Sequence, residues 1–241
     1  MKPWLRRRKL PAGIAIEQIA AALQALDTAR FSVSGIARIK GQDHPVRGEG
    51  TTDFRRRIES RQLMVDGTQL EHLDVGNDTF HKLPAHRQQA TGKVWVWERR
   101  CPHGDYWAEL IEAVRHIASC TGSVDEVLAA EPVRRYSFLI RPRRASFLTR
   151  LLGREDPFVR RFRAHLLAHG SDLIELDVWL ARDSTVRRMR MHGTASELAL
   201  LEGRTSTVTM TQDLSDFGAD VGLAAPPAEL VLGHPDEQPA R

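Results

Sequence analysis

Cysteine is scarce in this sequence, which has only Cys101 and Cys120 in 241 residues. These two residues do not have the spacing of a metal-binding motif, and they cannot build a framework of several disulfide bonds. We therefore predict two free thiols in a reducing compartment.

Long apolar runs are also missing. No segment approaches the roughly 20 apolar residues that a membrane-spanning helix needs. The basic start MKPWLRRRK precedes an apolar segment that Glu17 and Gln18 interrupt before it reaches the length of a secretory signal. We expect a cytoplasmic protein that is not an integral membrane protein.

An excess of one charge sign is missing as well. The chain has 35 basic and 31 acidic residues, which gives a net charge of +4. This excess is too small to indicate a nucleic-acid-binding surface, so we expect no nucleic-acid partner. Hydrophobic residues make up 41% of the chain, which is enough for a globular domain with a sizeable core.

Apolar residues at helical spacing near the start, such as Ile16, Ile19 and Leu23, predict a helix from Gly13 to Leu26. We expect its apolar stripe to pack on the core. The basic residues that precede it leave a helix on a membrane surface as the alternative.

The hydrophobic period then changes from 3.6 to 2, which is typical of β-strands. The segments FSVSGIARIKG and VRGEGTTDF each place their apolar residues on one face. Pairing Ile39 with Val46 also pairs Phe31 with Phe54, so this register predicts a long hairpin with matching apolar faces.

Short strands continue in IESRQLMVDG, TQLEHLDVGN, TFHKLP and KVWVWER, with turns at Asp66-Gly67 and Gly76-Asn77. Helical spacing returns in WAELIEAVRHIASC and in DPFVRRFRAHLLAH. Between these two segments, SVDEVLAAEP is interpreted as a short helix or a linker, and VRRYSFLI as a strand.

The segment DLIELDVWLARDSTVRRMRMHG predicts a hairpin around Arg182-Asp183. Placing Leu180 opposite Thr185 gives two pairs of opposite charge on one face and two apolar pairs on the other. The pairs are Asp177–Arg188 and Glu175–Arg190 outside, and Leu176–Met189 and Ile174–Met191 inside. A last long strand, TSTVTMTQDLSDFG, follows.

Few residues carry a recognisable catalytic pattern. Asp216-Phe217-Gly218 has the letters of the magnesium-binding motif of protein kinases, but the other kinase motifs are missing, so we interpret it as a bend at the end of a strand. His165 and His169 have a spacing that can bind a metal, but no third ligand is evident, so we predict no metal site. The carboxylates Glu71, Asp74 and Asp78 are interpreted as loop or outer-face residues.

This order of elements predicts an α+β fold, a curled antiparallel β-sheet with helices on one face. The apolar face of such a sheet must be buried, either by helices that fill it or around a ligand cavity with adaptable methionines. The predicted ligand-binding residues are Phe31, Val33, Ile39, Phe54, Leu176, Val178, Met189, Met191, Val208 and Met210.

Three segments resemble the LolA/LppX/LprG lipoprotein group in its actinobacterial form. They are FSVSGIARIKG…VRGEGTTDF, IELDVWLARDSTVRRMRM and TSTVTMTQDLSDFGADVGLAAPPAEL. The likeness spans Ile16 to Leu232 as a pattern, and it is nearly literal in Glu175–Arg190 and Ser215–Ala228. The resemblance implies a half-open β-barrel whose helices cover the concave face, without cofactor or catalytic residue.

We therefore expect a basic N-terminal segment over residues 1–12, a single domain over 13–232 and a flexible tail over 233–241. The leading hypothesis is non-catalytic binding or carrying of a lipid or apolar metabolite in the concavity. One alternative is a cyclase or isomerase of secondary metabolism that uses the cavity as a template. The other is a protein-binding or regulatory module, with a protein as its partner.

Overall fold

The computed structural model describes residues 17–19, 21–22, 25–39, 41–76, 78–99, 118–141, 173–195 and 206–233. Several predictions made from the sequence lie outside the described residues. They are the basic N-terminal segment, Cys101, most of the helix predicted in WAELIEAVRHIASC, the helix in DPFVRRFRAHLLAH with His165 and His169, and the tail after Gly233.

Within the described residues, twelve strands form one sheet. In chain order they are β1 (Thr28–Ile39), β2 (Gln42–Asp53), β3 (Ile58–Val65), β4 (Thr68–Val75), β5 (Asp78–Lys82), β6 (Trp95–Arg99), β7 (Ala118–Leu128), β8 (Glu131–Ile140), β9 (Ile174–Ala181), β10 (Val186–Ala195), β11 (Ser206–Ser215) and β12 (Val231–Leu232). The order across the sheet is β12-β6-β5-β4-β3-β2-β1-β11-β10-β9-β8-β7. Every neighbouring pair is antiparallel except β12 and β6, which are parallel.

In the part of the chain that the structure describes, the sheet is curled and does not close, since β12 and β7 are its two edge strands. The predicted fold class, a half-open barrel of antiparallel strands, is confirmed. Two helices belong to the described part of the chain: α1, to which residues 17–19 and 21–22 belong, and α2 (Ala85–Thr91). The sequence interpretation included α1 but not α2.

Helix α1 packs on one face of the sheet, which we call the inner face. Its residues Ile19 and Ala22, with Leu26 after it, are buried in the main core cluster together with residues of β1 and β8–β11. Burial of such apolar side chains contributes about 1.5–3 kcal/mol each for the larger ones, so this contact fixes α1 on the sheet.

The β1–β2 hairpin is tighter than predicted. Ile39 lies opposite Gln42, and Phe31 lies opposite Gly50, so the predicted pairs Ile39–Val46 and Phe31–Phe54 are wrong. Gly41, with a φ of 81°, supplies the left-handed backbone that the short turn requires. Because the register differs by an even number of residues, the predicted faces of both strands remain right.

The register of the β9–β10 hairpin also differs from the prediction. A β-bulge between Val186 and Arg188 shifts the pairing, so that Asp177 lies opposite Arg190. The apolar pairs become Val178–Met189 and Leu176–Met191. The predicted pairs Asp177–Arg188, Glu175–Arg190, Leu176–Met189 and Ile174–Met191 are therefore wrong.

The segment SVDEVLAAEP contains neither a helix nor a linker. Residues up to Leu128 belong to β7, and Ala129 and Ala130 form the turn to β8 with φ values of 48° and 67°. The helical pattern predicted through Cys120 is likewise wrong from Ala118 onwards, because β7 begins there.

The bend predicted at Asp216-Phe217-Gly218 is present. Asp216 and Gly218 have φ values of 48° and 75°, and the backbone N–H of Gly218 donates to the carbonyl oxygen of Thr28 at 3.0 Å. The chain then runs to a short 3-10 helix (Ala228–Leu230) and to β12. This last segment brings Val231 against the outer face of the sheet, where it packs with Ile58, Leu73 and Phe80.

Candidate functional site

Nine of the ten predicted ligand-binding residues lie on the inner face of paired strands, and Phe54, which follows β2, packs against the same core. Seven of them are buried, with exposures of 0–6%. These seven are Phe31, Val33, Leu176, Val178, Met189, Met191 and Val208. Ile39, Phe54 and Met210 are partly buried and pack against the same clusters. Contact of these residues with a ligand stays a prediction.

One row of inner-face residues crosses the middle of the sheet. Val33 lies opposite Gln212, Gln212 opposite Met189, Met189 opposite Val178, and Val178 opposite Tyr136. We call these five residues the middle row. Residues that are directly opposite in an antiparallel ladder have side chains on the same face, so the row is continuous from β1 to β8.

Three methionines surround one polar member of this row. Met189 lies directly opposite Gln212, and Met191 lies directly opposite Met210 on the same two strands. We call Met189, Met191 and Met210 the methionine patch. Methionine side chains are flexible and fill irregular spaces, so this part of the inner face can adapt its shape.

Gln212 is the amide residue of the middle row, and sequence reasoning did not single it out. It is 2% exposed, and its Oε1 has no hydrogen-bond partner in the described part of the chain. A buried polar atom without a partner costs about 1–3 kcal/mol. The signal was available, because Gln212 occupies an apolar-face position in the alternating pattern of Val208, Met210 and Leu214.

A charged cluster lies on the inner face of β3–β5. Arg61 is 4% exposed, and Glu59 and Asp74 are 3% and 2% exposed. Nη2 of Arg61 donates to Oδ2 of Asp74 at 2.6 Å, and the Arg61 Nε lies 3.3 Å from the Glu59 Oε1. Oγ1 of Thr79 donates to Oδ1 of Asp74 at 2.6 Å. The interpretation of Asp74 as a loop or outer-face carboxylate is therefore wrong.

This cluster separates the inner face into two regions. Strands β1 and β8–β11 supply most of the apolar core, to which β3 adds Leu63, whereas β3–β5 also supply the paired charges. His72 and His81 continue the polar region with their rings in edge contact at 4.7 Å between centroids. A fully apolar ligand is therefore matched by the β1–β11–β8 side and not by the β3–β5 side.

A cavity of about 760 Å³ opens at the β8 end of the middle row. One wall is α1, which contributes Ala21 and Ala22, and the other is formed by the ends of β8 and β9. Its floor includes Leu26, Tyr136 and Leu180, which are all buried. The cavity and the middle row share Tyr136, so the cavity floor adjoins the buried apolar packing of the row.

The rim of this cavity is polar. Asp125, Arg134, Arg182 and Asp183 line it, and Arg134 donates to Asp125 with 2.7 Å between Nε and Oδ1. The backbone N–H of Thr185 donates to Oδ1 of Asp183, and this hydrogen bond lowers the pKa of the Asp183 carboxyl. The rim is thus charged at neutral pH around an apolar floor.

The inner face is also partly accessible at the opposite end, near the β1–β2 turn. Ile39, Leu70 and Met210 are partly buried there, and they pack against the smaller cluster that contains Val46 and Val208. Met210 contacts the main cluster as well, so it joins this accessible edge to the methionine patch.

The titratable groups of the described residues form no recognisable catalytic arrangement. Burial raises the pKa of the Cys120 thiol, which keeps it neutral and weakly nucleophilic at physiological pH. Among the described residues, no group of three or more His, Cys, Asp or Glu side chains could hold a metal ion. None of the helices in that part of the chain is long and apolar enough to span a membrane.

No protein-family model and no curated protein matches the sequence. Solved structures similar to this chain include the lipoprotein LppX of Mycobacterium tuberculosis, with 11% identity, a TM-score of 0.49 and coverage of 87% of this chain and 96% of that one. LprF of Mycobacterium bovis has 12% identity, a TM-score of 0.42 and coverage of 89% and 96%. A LolA-superfamily protein of Nitrosomonas europaea has 10% identity, a TM-score of 0.36 and coverage of 86% and 93%. These names belong to the group that the sequence motifs resemble.

Proposed function

We propose that this protein binds a hydrophobic ligand, a lipid or apolar metabolite, between α1 and the inner face of the sheet. The observation that supports the proposal is the cavity of about 760 Å³ with its apolar floor. Sites for small organic ligands commonly have volumes of about 300–1,000 Å³ and mostly apolar walls. The cavity has a volume in this range, and its floor is apolar although its rim is charged.

The lining favours a ligand whose apolar part lies on the cavity floor and whose exposed end stays in water at the rim. Leu26, Tyr136 and Leu180 offer apolar contact, and the rim residues Arg134 and Asp183 remain solvated. Burying an apolar ligand surface contributes about 25 cal/mol per Å². A ligand chain that extends from the cavity along the middle row displaces the covering residues, among them Ile19 of α1, and the methionine patch adapts to it.

Extraction of the purified native protein tests this proposal. The protein is washed, denatured and extracted with organic solvent, and the extract is examined by mass spectrometry. We expect one apolar compound at close to one molecule per chain. An extract without any such compound, together with no uptake of an apolar fluorescent probe, would contradict the proposal.

The same extract separates binding from catalysis. The recovered compound is returned to ligand-free protein, incubated and analysed again. A carrier returns it unchanged, whereas a cyclised or isomerised product would favour the templating enzyme over the carrier.

A further inference from the structure

Gln212 places a polar side chain on the inner face, and its apolar neighbours cannot satisfy the hydrogen-bonding capacity of that side chain. The side chains that adjoin it are Val33 and Met189 across the strands, and Met210 and Leu214 along β11. None of these four carries a hydrogen-bond donor, since a thioether sulfur is at most a weak acceptor. Oε1 of Gln212 has no partner in the described part of the chain, and the residue is 2% exposed.

The unpaired atom is an acceptor, so the group that satisfies it must donate. An alcohol O–H can do so and can also accept from Nε2 of the same amide, whereas an ionised carboxylate has only acceptor oxygens and would leave Oε1 unpaired. The four neighbours carry no charge, so an ammonium group would be buried there without a counter-ion. The nearest described charges on the β3 side, Arg61 with Asp74, are paired with each other.

The position of Gln212 also indicates how far along the ligand its hydrogen-bond donor lies. Gln212 is three strands away from Tyr136 in the cavity floor, about 14 Å, because neighbouring strands lie about 4.8 Å apart. The residues between them in the middle row, Met189 and Val178, are apolar. A ligand that starts in the cavity must therefore be apolar over this length before its donor reaches Gln212.

We infer that the ligand is a neutral, hydroxyl-bearing lipid or lipid-like compound, and that Gln212 accepts a hydrogen bond from its hydroxyl group on the inner face. This inference rests on the proposed function, because it names the class of the ligand that the inner face takes. Gln212 is thus the specificity-determining residue, and the methionine patch shapes the surrounding apolar contact.

Competition binding tests the inference. The fluorescent probe N-phenyl-1-naphthylamine is bound to the full chain and displaced by 1-dodecanol, dodecane or dodecanoic acid. The measured quantity is the ratio of the dodecanol affinity to the dodecane affinity, compared between the parent protein and Gln212→Met. We expect the ratio to fall about tenfold in Gln212→Met, which corresponds to one hydrogen bond of about 1.4 kcal/mol.

Methionine matches the shape of glutamine without its polar group, so Gln212→Met should fold and have an equal or higher melting temperature. Gln212→Leu is the second variant if Gln212→Met is not recovered. Gln62→Met is the matched control, since Gln62 is exposed on the outer face of β3, and it should leave the ratio unchanged. The parent should also bind dodecanol more tightly than ionised dodecanoic acid at pH 8.

The outcomes separate the two proposals. A ratio that stays the same in Gln212→Met and Gln212→Leu, with probe binding intact, overturns the role of Gln212 and leaves hydrophobic binding in place. Dodecanoic acid bound as tightly as dodecanol by the parent also overturns the hydroxyl preference. A parent protein that does not bind the probe overturns the proposed function and this inference together.

Discussion

Arg61 and Asp74 form an ion pair on the inner face, with 2.6 Å between Nη2 and Oδ2, although their side chains are only 5% and 3% exposed. Removing two charges from water is costly, and the cost is offset only when other hydrogen bonds satisfy the groups. Thr79 donates to the same carboxylate, and Glu59 lies beside the guanidinium. This pair therefore fixes the positions of β3, β4 and β5 relative to one another.

Asp74→Ala should destabilise the protein strongly. The change leaves the buried Arg61 with less compensation, and breaking a buried pair in this way costs about 3–5 kcal/mol. Glu59 remains beside Arg61, so we expect a value near the lower end of this range. Urea unfolding followed by circular dichroism measures the free energy of unfolding.

Asp125→Ala is the matched control for that experiment. Asp125 pairs with Arg134 at the surface, where the two side chains are 66% and 44% exposed. Exposed pairs contribute about 0–1 kcal/mol, so the control should be close to the parent. Equal losses in the two variants would mean that the Arg61–Asp74 pair is not buried.

Gly50→Ala should also be destabilising. An added Cβ at Gly50 would collide with the ring of Phe31 and with the carbonyl oxygen of Ser60. Overpacking of this kind costs about 1–3 kcal/mol. Gly122→Ala is the control, because an added Cβ there meets nothing within 4 Å. Melting temperatures that fall equally in both variants would contradict the close contact between Phe31 and Gly50.

Cys120 should react slowly with iodoacetamide in the folded protein. Burial raises the pKa of its thiol, and the thiolate is the reactive form. In a Cys101→Ser background at pH 8, labelling followed by mass spectrometry should be slower in buffer than in urea. Equal labelling rates under the two conditions would show that the thiol is not protected.

The raised pKa of Cys120 also predicts how the free energy of unfolding changes with pH. A folded-state pKa above the unfolded value favours the folded state at lower pH, and this contribution is lost as pH rises through the folded pKa. The free energy of unfolding should therefore decrease above the ordinary thiol pKa. In Cys120→Ser this part of the pH dependence should disappear.

Arg188 and Asp213 should be energetically coupled. Nη2 of Arg188 donates to Oδ2 of Asp213 at 3.0 Å, and the guanidinium also lies 5.9 Å from the centroid of the Trp179 ring. A double-mutant cycle removes the Trp179 contribution and should give about 0.2–1 kcal/mol for the pair. A coupling of Arg188 to Asp177 larger than its coupling to Asp213 would contradict the β-bulge.

The faces of the strands could be predicted from the sequence, but their registers could not. Alternation in β1 assigns Phe31 and Val33 to the same face whichever residue lies opposite them. The pairing of Ile39 instead depends on where the chain turns. The polar residues around Gly41 allow more than one turn position, so the sequence does not specify the pairing uniquely. In β10, arginines at three of four positions allow Asp177 to pair with more than one of them, so charge matching alone does not reveal the bulge.

The polar part of the inner face was missed for a different reason. In β4, Leu73 and Val75 face outward and His72 and Asp74 face inward, which reverses the usual assignment of apolar residues to the core. Leu73 can face outward because Val231, from the far end of the chain, covers it. No local pattern in β4 indicates that contact.

Direct titration with N-phenyl-1-naphthylamine tests the central claim, which is binding of an apolar ligand next to α1. The key variant is Ala21→Trp, because Ala21 is exposed and lines the cavity, so the indole fills the space with little cost in stability. Ile36→Trp adds the same bulk at a position that is 50% exposed on the outer face. We predict saturable binding at one probe per chain for the parent and for Ile36→Trp, and at least tenfold weaker binding for Ala21→Trp with an unchanged melting temperature. Equal binding by all three proteins, or no binding by the parent, would contradict the account.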